Sequence, residues 1–498
     1  MKSAIQSIYS RLISDGTAEQ KAIQSGVWVT GINVGDRILQ LIKIIVLARL
    51  LSPAAFGLLG IGLVTLAAFE QFSRLGLDQA LIQHKDENVD GYLNTVWVMK
   101  IIRGFTIASI AYILAPFISD VFNEPQAKSL IRVLSISPLI LGMQNPGVVY
   151  FRKDLDFHKE FAYQIVARLV DAVIAIAFAV VFRNVWALAA GLVASNVSKT
   201  IISYVIHNYR PDLTFNVEYA KEMFGFGKWL LASSILIFLY GQGDDAFVGW
   251  FFGATTLGVY QIAYRFSNAP ATEITHVISR VTFPAYSKVQ DDKNRLRAGY
   301  YRAVQLSSLI AFPMVGGIIA IAPIFVTTVL GDRWTSAIPL IQLLAFWGGI
   351  RAIGANIGPV LKAVGRPDFD TKIQIIKVIF ILIFIYPAAE IYGTNGVIYV
   401  LIGSALLTMP VLYHIVLSIV EGTYSSLIHY LIYPTIGSTL MYLIVVSLRE
   451  RITVIGGSGK LILLVIIGVL SYVVIMLSID KWMNYNITGL VQSLTKAI

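Results

Sequence analysis

Ten basic side chains stand inside stretches that are otherwise oily: Arg37, Lys43, Arg74, Lys100, Arg103, Arg168, Lys228, Arg265, Arg280 and Arg351. Seven acids share those stretches: Asp36, Glu70, Asp78, Asp171, Asp244, Asp245 and Glu273. A charge at the centre of a bilayer costs roughly 2.5–3.5 kcal/mol even on lenient scales, so each needs a partner or a wet cavity. Some have partners at helical spacing: Glu70–Arg74, Arg74–Asp78 and Arg168–Asp171 are three or four residues apart and read as structural ion pairs. Lys43 and Lys100 can snorkel or line water. Arg37, Arg103 and Arg265 have no same-helix acid at favourable spacing and require a hydrated cavity or a partner on another helix. A guanidinium stays charged when desolvated and forms forked bonds to phosphate or carboxylate. The surplus of positive charge therefore suits an anionic ligand, with Arg37, Arg74, Arg103, Arg265, Lys100 and Arg280 as the binding set. Asp244, Asp245, Asp36 and Glu70 are the candidates for coupling to a proton or Na⁺. Asp244 and Asp245 are adjacent, so they point about 100° apart and at most one faces a cavity. They follow Gly241-Gln242-Gly243, which is expected to loosen the helix. The competing reading of the acid pair is a salt bridge to Arg265 or Arg37.

The elements that must position these charges are membrane helices. The chain of 498 residues is 56% hydrophobic and only 14% charged, against about 25% charged in soluble proteins. Fourteen apolar stretches are long enough to cross: 26–50, 56–82, 92–118, 129–150, 160–182, 185–207, 224–252, 256–283, 300–328, 336–361, 373–393, 396–420, 427–448 and 460–480. Lysine and arginine crowd alternate loops, which places both termini in the cytoplasm and requires an even number of spans. The net charge of +10 lies largely in those loops and forms no basic face for nucleic acid. With no cysteine and six scattered histidines, no metal site or thiol nucleophile is expected. The first 24 residues lack a cleavable signal. Ile5, Ile8, Tyr9, Leu12 and Ile13 fit either an amphipathic helix on the cytoplasmic surface or a disordered tail.

The chain also repeats itself. Gly26-Val27-Trp28 and Gly227-Lys228-Trp229 open spans one and seven, 201 residues apart. The same offset aligns Leu51-Ser52-Pro53-Ala54-Ala55-Phe56-Gly57-Leu58 with Phe252-Gly253-Ala254-Thr255-Thr256-Leu257-Gly258-Val259. Six spans separate the copies, so the halves run parallel and a substrate would bind between them. Spans 13 and 14 fall outside the duplication as an appended pair. Pro138, Pro146-Gly147, Pro270, Pro313 and Gly316-Gly317 mark either hinges or sites of close helix packing.

Several motifs, taken in order, resemble a known family. They are Ala48-Arg49-Leu50-Leu51-Ser52-Pro53-Ala54-Ala55-Phe56-Gly57, Gly76-Leu77-Asp78-Gln79-Ala80-Leu81-Ile82-Gln83, Phe283-Pro284-Ala285-Tyr286-Ser287, Gly331-Asp332-Arg333-Trp334 and Gly365-Arg366-Pro367. The chain is similar over residues 20–420 to Wzx-type polysaccharide exporters of the multidrug/oligosaccharidyl-lipid/polysaccharide (MOP) flippase superfamily, in particular the colanic-acid and teichuronic-acid exporters. The resemblance implies an all-α integral membrane fold with two six-helix bundles in a V. It implies a lipid-linked oligosaccharide moved from the cytoplasmic to the outer leaflet by alternating access, and places arginines on spans 1, 2 and 8, where Arg37, Arg74 and Arg265 stand. The expected organisation is a cytoplasmic segment (1–24), an N-lobe (25–207), a linker (208–223), a C-lobe (224–420) and an appended pair with a cytoplasmic tail (421–498). The expected setting is the cell membrane, as a monomer. No cofactor is expected beyond a coupling H⁺ or Na⁺, and polymerase or glycosyltransferase partners are expected. The outer loops are too short for a membrane glycosyltransferase, so no enzyme is expected. The alternative is a multidrug or small-metabolite antiporter of the same fold.

Overall fold

The computed structural model describes residues 18–73, 76–78, 81, 90–154, 156–268, 272, 282–452, 456–483 and 485, and within these the side chains outside 18–30, 32–34 and 222–233. The described residues are built from helices: α1 (Ala18–Leu50), α2 (Pro53–Phe72), α3 (Asp90–Val121), α4 (Pro125–Leu134), α5 (Ile136–Gly142), α6 (Tyr150–Lys153), α7 (Phe157–Phe182), α8 (Val185–Ile206), α9 (Val217–Ser267), α10 (Lys293–Phe325), α11 (Ala337–Gly354), α12 (Ile357–Ala363), α13 (Asp368–Tyr392), α14 (Thr394–Val420), α15 (Tyr424–Arg451) and α16 (Gly457–Met483). The protein is thus an all-α polytopic membrane protein.

Among the described residues, 11 helical segments are long and apolar enough to cross a bilayer. The difference from the fourteen expected spans has local causes. The first stretch is helical, but its charges and glutamines dilute its hydropathy. The fourth is broken: α4 ends at Leu134, α5 at Gly142, and Pro146 opens a 3₁₀ turn to Val149. Much of the second half of the eighth lies outside the described residues, including Pro270, as do the first 17 residues. Gly241-Gln242-Gly243 does not interrupt α9, because a helix can carry glycine where no tertiary contact pulls it out of shape. The interruption falls at Gly253, between the expected spans 224–252 and 256–283, in a positive-φ conformation (φ 81°, ψ 177°) that glycine alone adopts without strain. The 51 residues of α9 thus form two helical runs.

The chain divides into two compact units, residues 1–258 and 259–498. In the first, α2 starts on a Ser52 N-cap whose Oγ accepts from the Ala55 N–H (3.4 Å). The second run of α9 starts at Ala254, whose N–H is bound by the Glu124 carboxylate (3.0 Å). These two starts are the segments that align at offset 201, and they touch reciprocally. A methyl group on Gly57 would overlap the Ala254 carbonyl, and one on Gly258 would overlap the Pro53 carbonyl. Positions 201 residues apart in the sequence therefore contact each other through bare backbone. A second glycine crossing joins α3 to α5, where Gly142 leaves 2.6 Å between an added methyl and the Lys100 carbonyl.

In the second unit, α15 and α16 pack on α10 rather than hang beside it. Pro313 and Pro323 lie inside α10 without ending it. Each proline lacks the N–H that would bind the carbonyl four residues earlier. Those two carbonyls find other donors: Tyr472 of α16 donates to Leu309 O (3.0 Å), and Gln342 of α11 to Ile319 O (3.1 Å). Ser438 donates to Phe312 O (2.6 Å) beside Gly316, so this glycine serves close packing. Gln305 reaches the main-chain carbonyl of Tyr485 (2.9 Å), whose hydroxyl donates to Tyr430 O (2.8 Å).

Beyond α8 the chain folds back on α3 and α5. Asn145 donates to Tyr209 O (2.7 Å), and Tyr209 donates to Asn94 (2.8 Å). His207 stacks on Tyr150 and accepts the Tyr209 N–H at Nδ1 (3.1 Å). Burial, aided by Lys159, depresses its pKa below the usual 6.5. The neutral ring's stabilisation is complete above 6.5 and is lost as pH falls through the depressed value, because a proton on Nδ1 would oppose the Tyr209 N–H. Melting curves of the purified protein should show Tm dropping on acidification below about pH 6, and His207→Gln should flatten that dependence.

Candidate functional site

A seam of charge runs between α1, α7 and α8. On α7, Glu160, Gln164, Arg168 and Asp171 follow one another at four, four and three residues, a stripe about 16 Å long on one face. On α1, Asp36, Gln40 and Lys43 form the matching stripe. Close packing is set by Gly35, where an added methyl would meet Ile165 at 3.0 Å. Across this seam Arg168 binds Asp36 through Nε, and Lys43 binds Asp171 (2.6 Å). Gln40 donates to the other Asp36 oxygen (2.8 Å). At the end of α7, Arg152 holds the buried Glu160 with two nitrogens (2.8 and 2.5 Å), and Gln164 donates to the same oxygen (2.8 Å). The same-helix pair expected from spacing, Arg168 with Asp171, is therefore exchanged for two interhelical pairs. The neighbouring helix lies closer to each head group, and bridging binds α1 to α7.

The expected cations have varied placements. Arg103 of α3 donates to Ser73 O (2.8 Å), Ser73 Oγ (3.0 Å) and Glu70 O (2.8 Å). These are the bare carbonyls at the end of α2, so its guanidinium serves as a C-cap with favourable sign against the helix dipole. Its partner is another helix's backbone, and it lies near the Glu70 side chain. Lys100, one turn before it, pairs with Asp78 (2.5 Å). Arg37 stands on the exposed side of α1 next to Asp36, and Arg265 is exposed on the last run of α9 in the second unit. Asp244 is buried on α9 (5% exposed) and Asp245 is half-buried. Arg74, Arg280 and Glu273 lie outside the described residues, as does the Lys228 side chain.

The second unit has its own polar corner. Arg351 donates to Tyr264 Oη (3.0 Å) and Asn268 Oδ1 (3.1 Å) while lying over the Trp347 ring at 4.6 Å. This accounts for Arg351, one of the ten basic residues singled out in the sequence. Glu160, Gln164 and Lys199 were not singled out, although their helical spacing to other polar residues was available as a signal.

The charge pattern and fold can be set beside known proteins. Residues 46–339 match the family model described as polysaccharide biosynthesis protein. The chain is 30% identical to the lipopolysaccharide biosynthesis protein WzxC of Escherichia coli K12, over 76% of this chain and 77% of that one. The chain belongs to the polysaccharide biosynthesis protein family. Other relatives include the succinoglycan biosynthesis transport protein ExoT of Rhizobium meliloti (25% identical, covering 70% and 71%). Among solved structures, the lipid II flippase MurJ in an inward closed conformation shares the fold with a TM-score of 0.73, 12% identity and coverage of 91% and 98%. An inward-facing MATE multidrug transporter of the MOP superfamily follows at 0.56, with 19% identity and coverage of 78% and 96%. The expected resemblance to Wzx-type polysaccharide exporters is thus borne out at the level of the family.

The interhelical pairs have a measurable role. Asp36→Ala should lower stability by about 2 kcal/mol, less than the 3–5 of a fully buried pair because both side chains are partly exposed. Asp36→Leu with Arg168→Met should recover most of that loss, read as Tm in a double-mutant cycle.

Proposed function

We propose that the protein is a flippase for a lipid-linked oligosaccharide, carrying the glycan head group across the cell membrane while the lipid tail stays in the bilayer. One observation carries this reading: membership in a polysaccharide biosynthesis family combined with a fold shared, over 91% of the chain, with a lipid II flippase. No covalent step is required. The work is to lower the barrier to moving a polar, anionic head group through oil. Cations offered to the head group in a hydrated cavity replace its water, and Arg37 and Arg265 are the candidates whose exposure suits that role. Asp244, Asp245, Asp36 and Glu70 remain the carriers proposed for a coupling H⁺ or Na⁺. Glycosyltransferases and a polymerase are the proposed neighbours in the pathway.

Alternating access needs a closure that can open. The Gly57–Gly258 crossing suits that task, since bare backbone can meet and part without repacking side chains. By the loop-charge pattern it lies at the outer side of the membrane.

Two outcomes follow. In proteoliposomes loaded with a fluorescent polyprenyl-pyrophosphate oligosaccharide, Arg37→Ala and Arg265→Ala should each slow flipping about tenfold or more, a loss near 1.4 kcal/mol. Full rates in both would remove the cationic-cavity reading. Ala55→Cys, buried one turn into α2, should resist a membrane-impermeant maleimide at rest and label during turnover. Protection throughout turnover would mean that this crossing never opens.

A further inference from the structure

The described cations of the α1–α7–α8 seam outnumber its acids. Lys43, Arg152 and Arg168 are matched by Asp171, Glu160 and Asp36. Lys199 of α8 is the fourth cation. Among the described residues no carboxylate lies within ion-pair distance of its ammonium group. Its ammonium lies over the ring of Tyr163, 6.0 Å from the ring centroid. Arg168, Asp36, Arg152 and Glu160 are near enough to act on it electrostatically. Each of those four already has an opposite charge in ion-pair contact.

Position sharpens the point. Lys199 is seven residues from the end of α8, about 10 Å along the helix, too deep for its head to reach that end without crossing the seam. Tyr163 is six residues into α7, at the same depth. Tyr163 is buried to 9%, and its hydroxyl makes no hydrogen bond to the described residues. An ammonium and a hydroxyl therefore share one level of the seam, both able to donate, with Arg168 one step deeper and 38% exposed in its side chain. Lys199 stands over the Tyr163 ring and within electrostatic reach of Arg168, in a seam that carries one cation more than it has acids. Lys100 and Arg103, by contrast, are engaged with Asp78 and with the end of α2.

We propose that Lys199, with Tyr163 and the exposed edge of Arg168, forms an oxyanion subsite for the translocated head group, at the end of the span that the loop charges assign to the cytoplasm. The subsite rests on the flippase reading and deepens it. The oxyanion is either a phosphate of the carrier or a carboxylate of an acidic sugar, and both would be held by the same donors.

Binding separates these cases. Purified protein in nanodiscs is titrated with farnesyl pyrophosphate, which carries phosphate and no sugar, and with farnesyl β-glucuronide, which carries a carboxylate and no phosphate. Lys199→Met should weaken one of the two about tenfold, and the arm that weakens names the source. Lys199→Arg should stay within about twofold of wild type, because charge rather than proton release is what the subsite supplies. Tyr163→Phe should weaken the same probe by a smaller factor. Tm within a few degrees of wild type identifies each variant as folded. Unchanged binding of both probes in Lys199→Met overturns the subsite. So does Lys199→Arg as weak as Lys199→Met, which would mean that the lysine must shed its proton. Lys199-dependent binding without flipping of the full lipid-linked glycan in proteoliposomes would instead overturn the flippase reading and leave the subsite standing.

Discussion

Oil offers no hydrogen bonds, and every polar group placed in it must be answered by another part of the chain. That requirement organises the protein. Along α7 it produces a stripe of acid, amide and base whose partners sit on α1 and on the preceding turn. At the end of α2 it recruits Arg103, which donates to the Glu70 and Ser73 carbonyls where the helix stops. In α10 it lets two prolines persist, since the carbonyls they release are taken up by Tyr472 and Gln342. Charge, cap and proline are three versions of one problem, each solved by a neighbouring helix.

The same requirement explains what could and could not be read from the sequence. Apolar length and loop charge gave the helices, the class and the approximate spans, because both depend on local composition. The offset of 201 residues pointed to the two segments whose backbones meet at Gly57 and Gly258, where the close approach leaves room only for glycine. The break at Gly253 falls between the expected spans 224–252 and 256–283, and a carboxylate from a distant loop holds the N–H that follows it. The loosening expected at Gly241-Gln242-Gly243 does not occur, because composition alone does not break a helix. Partner choice was the least legible. Arg168 has an acid three residues away on its own helix and uses one on α1, a selection made by packing distance rather than by sequence separation.

Site residues divide along the same line. Residue type identified which side chains are costly, and so which must be answered. It did not say whether the answer was an anion to be carried or the protein itself. Arg103 and Lys100 are answered internally. Lys199 drew no notice because one lysine on a helix rich in serine and asparagine looks like a solvated face. Its significance appears only when α7 is placed beside α8 and the acids there are found already taken.

The link from Gln305 to Tyr485 bears on how the molecule is made. The amide and the carbonyl that satisfies it are 180 residues apart. A ribosome inserting this chain delivers α10 into the membrane long before its acceptor exists. The amide must meanwhile borrow a water, a lipid headgroup or a chaperone, and the middle of the protein matures only when the last helices arrive to release the loan.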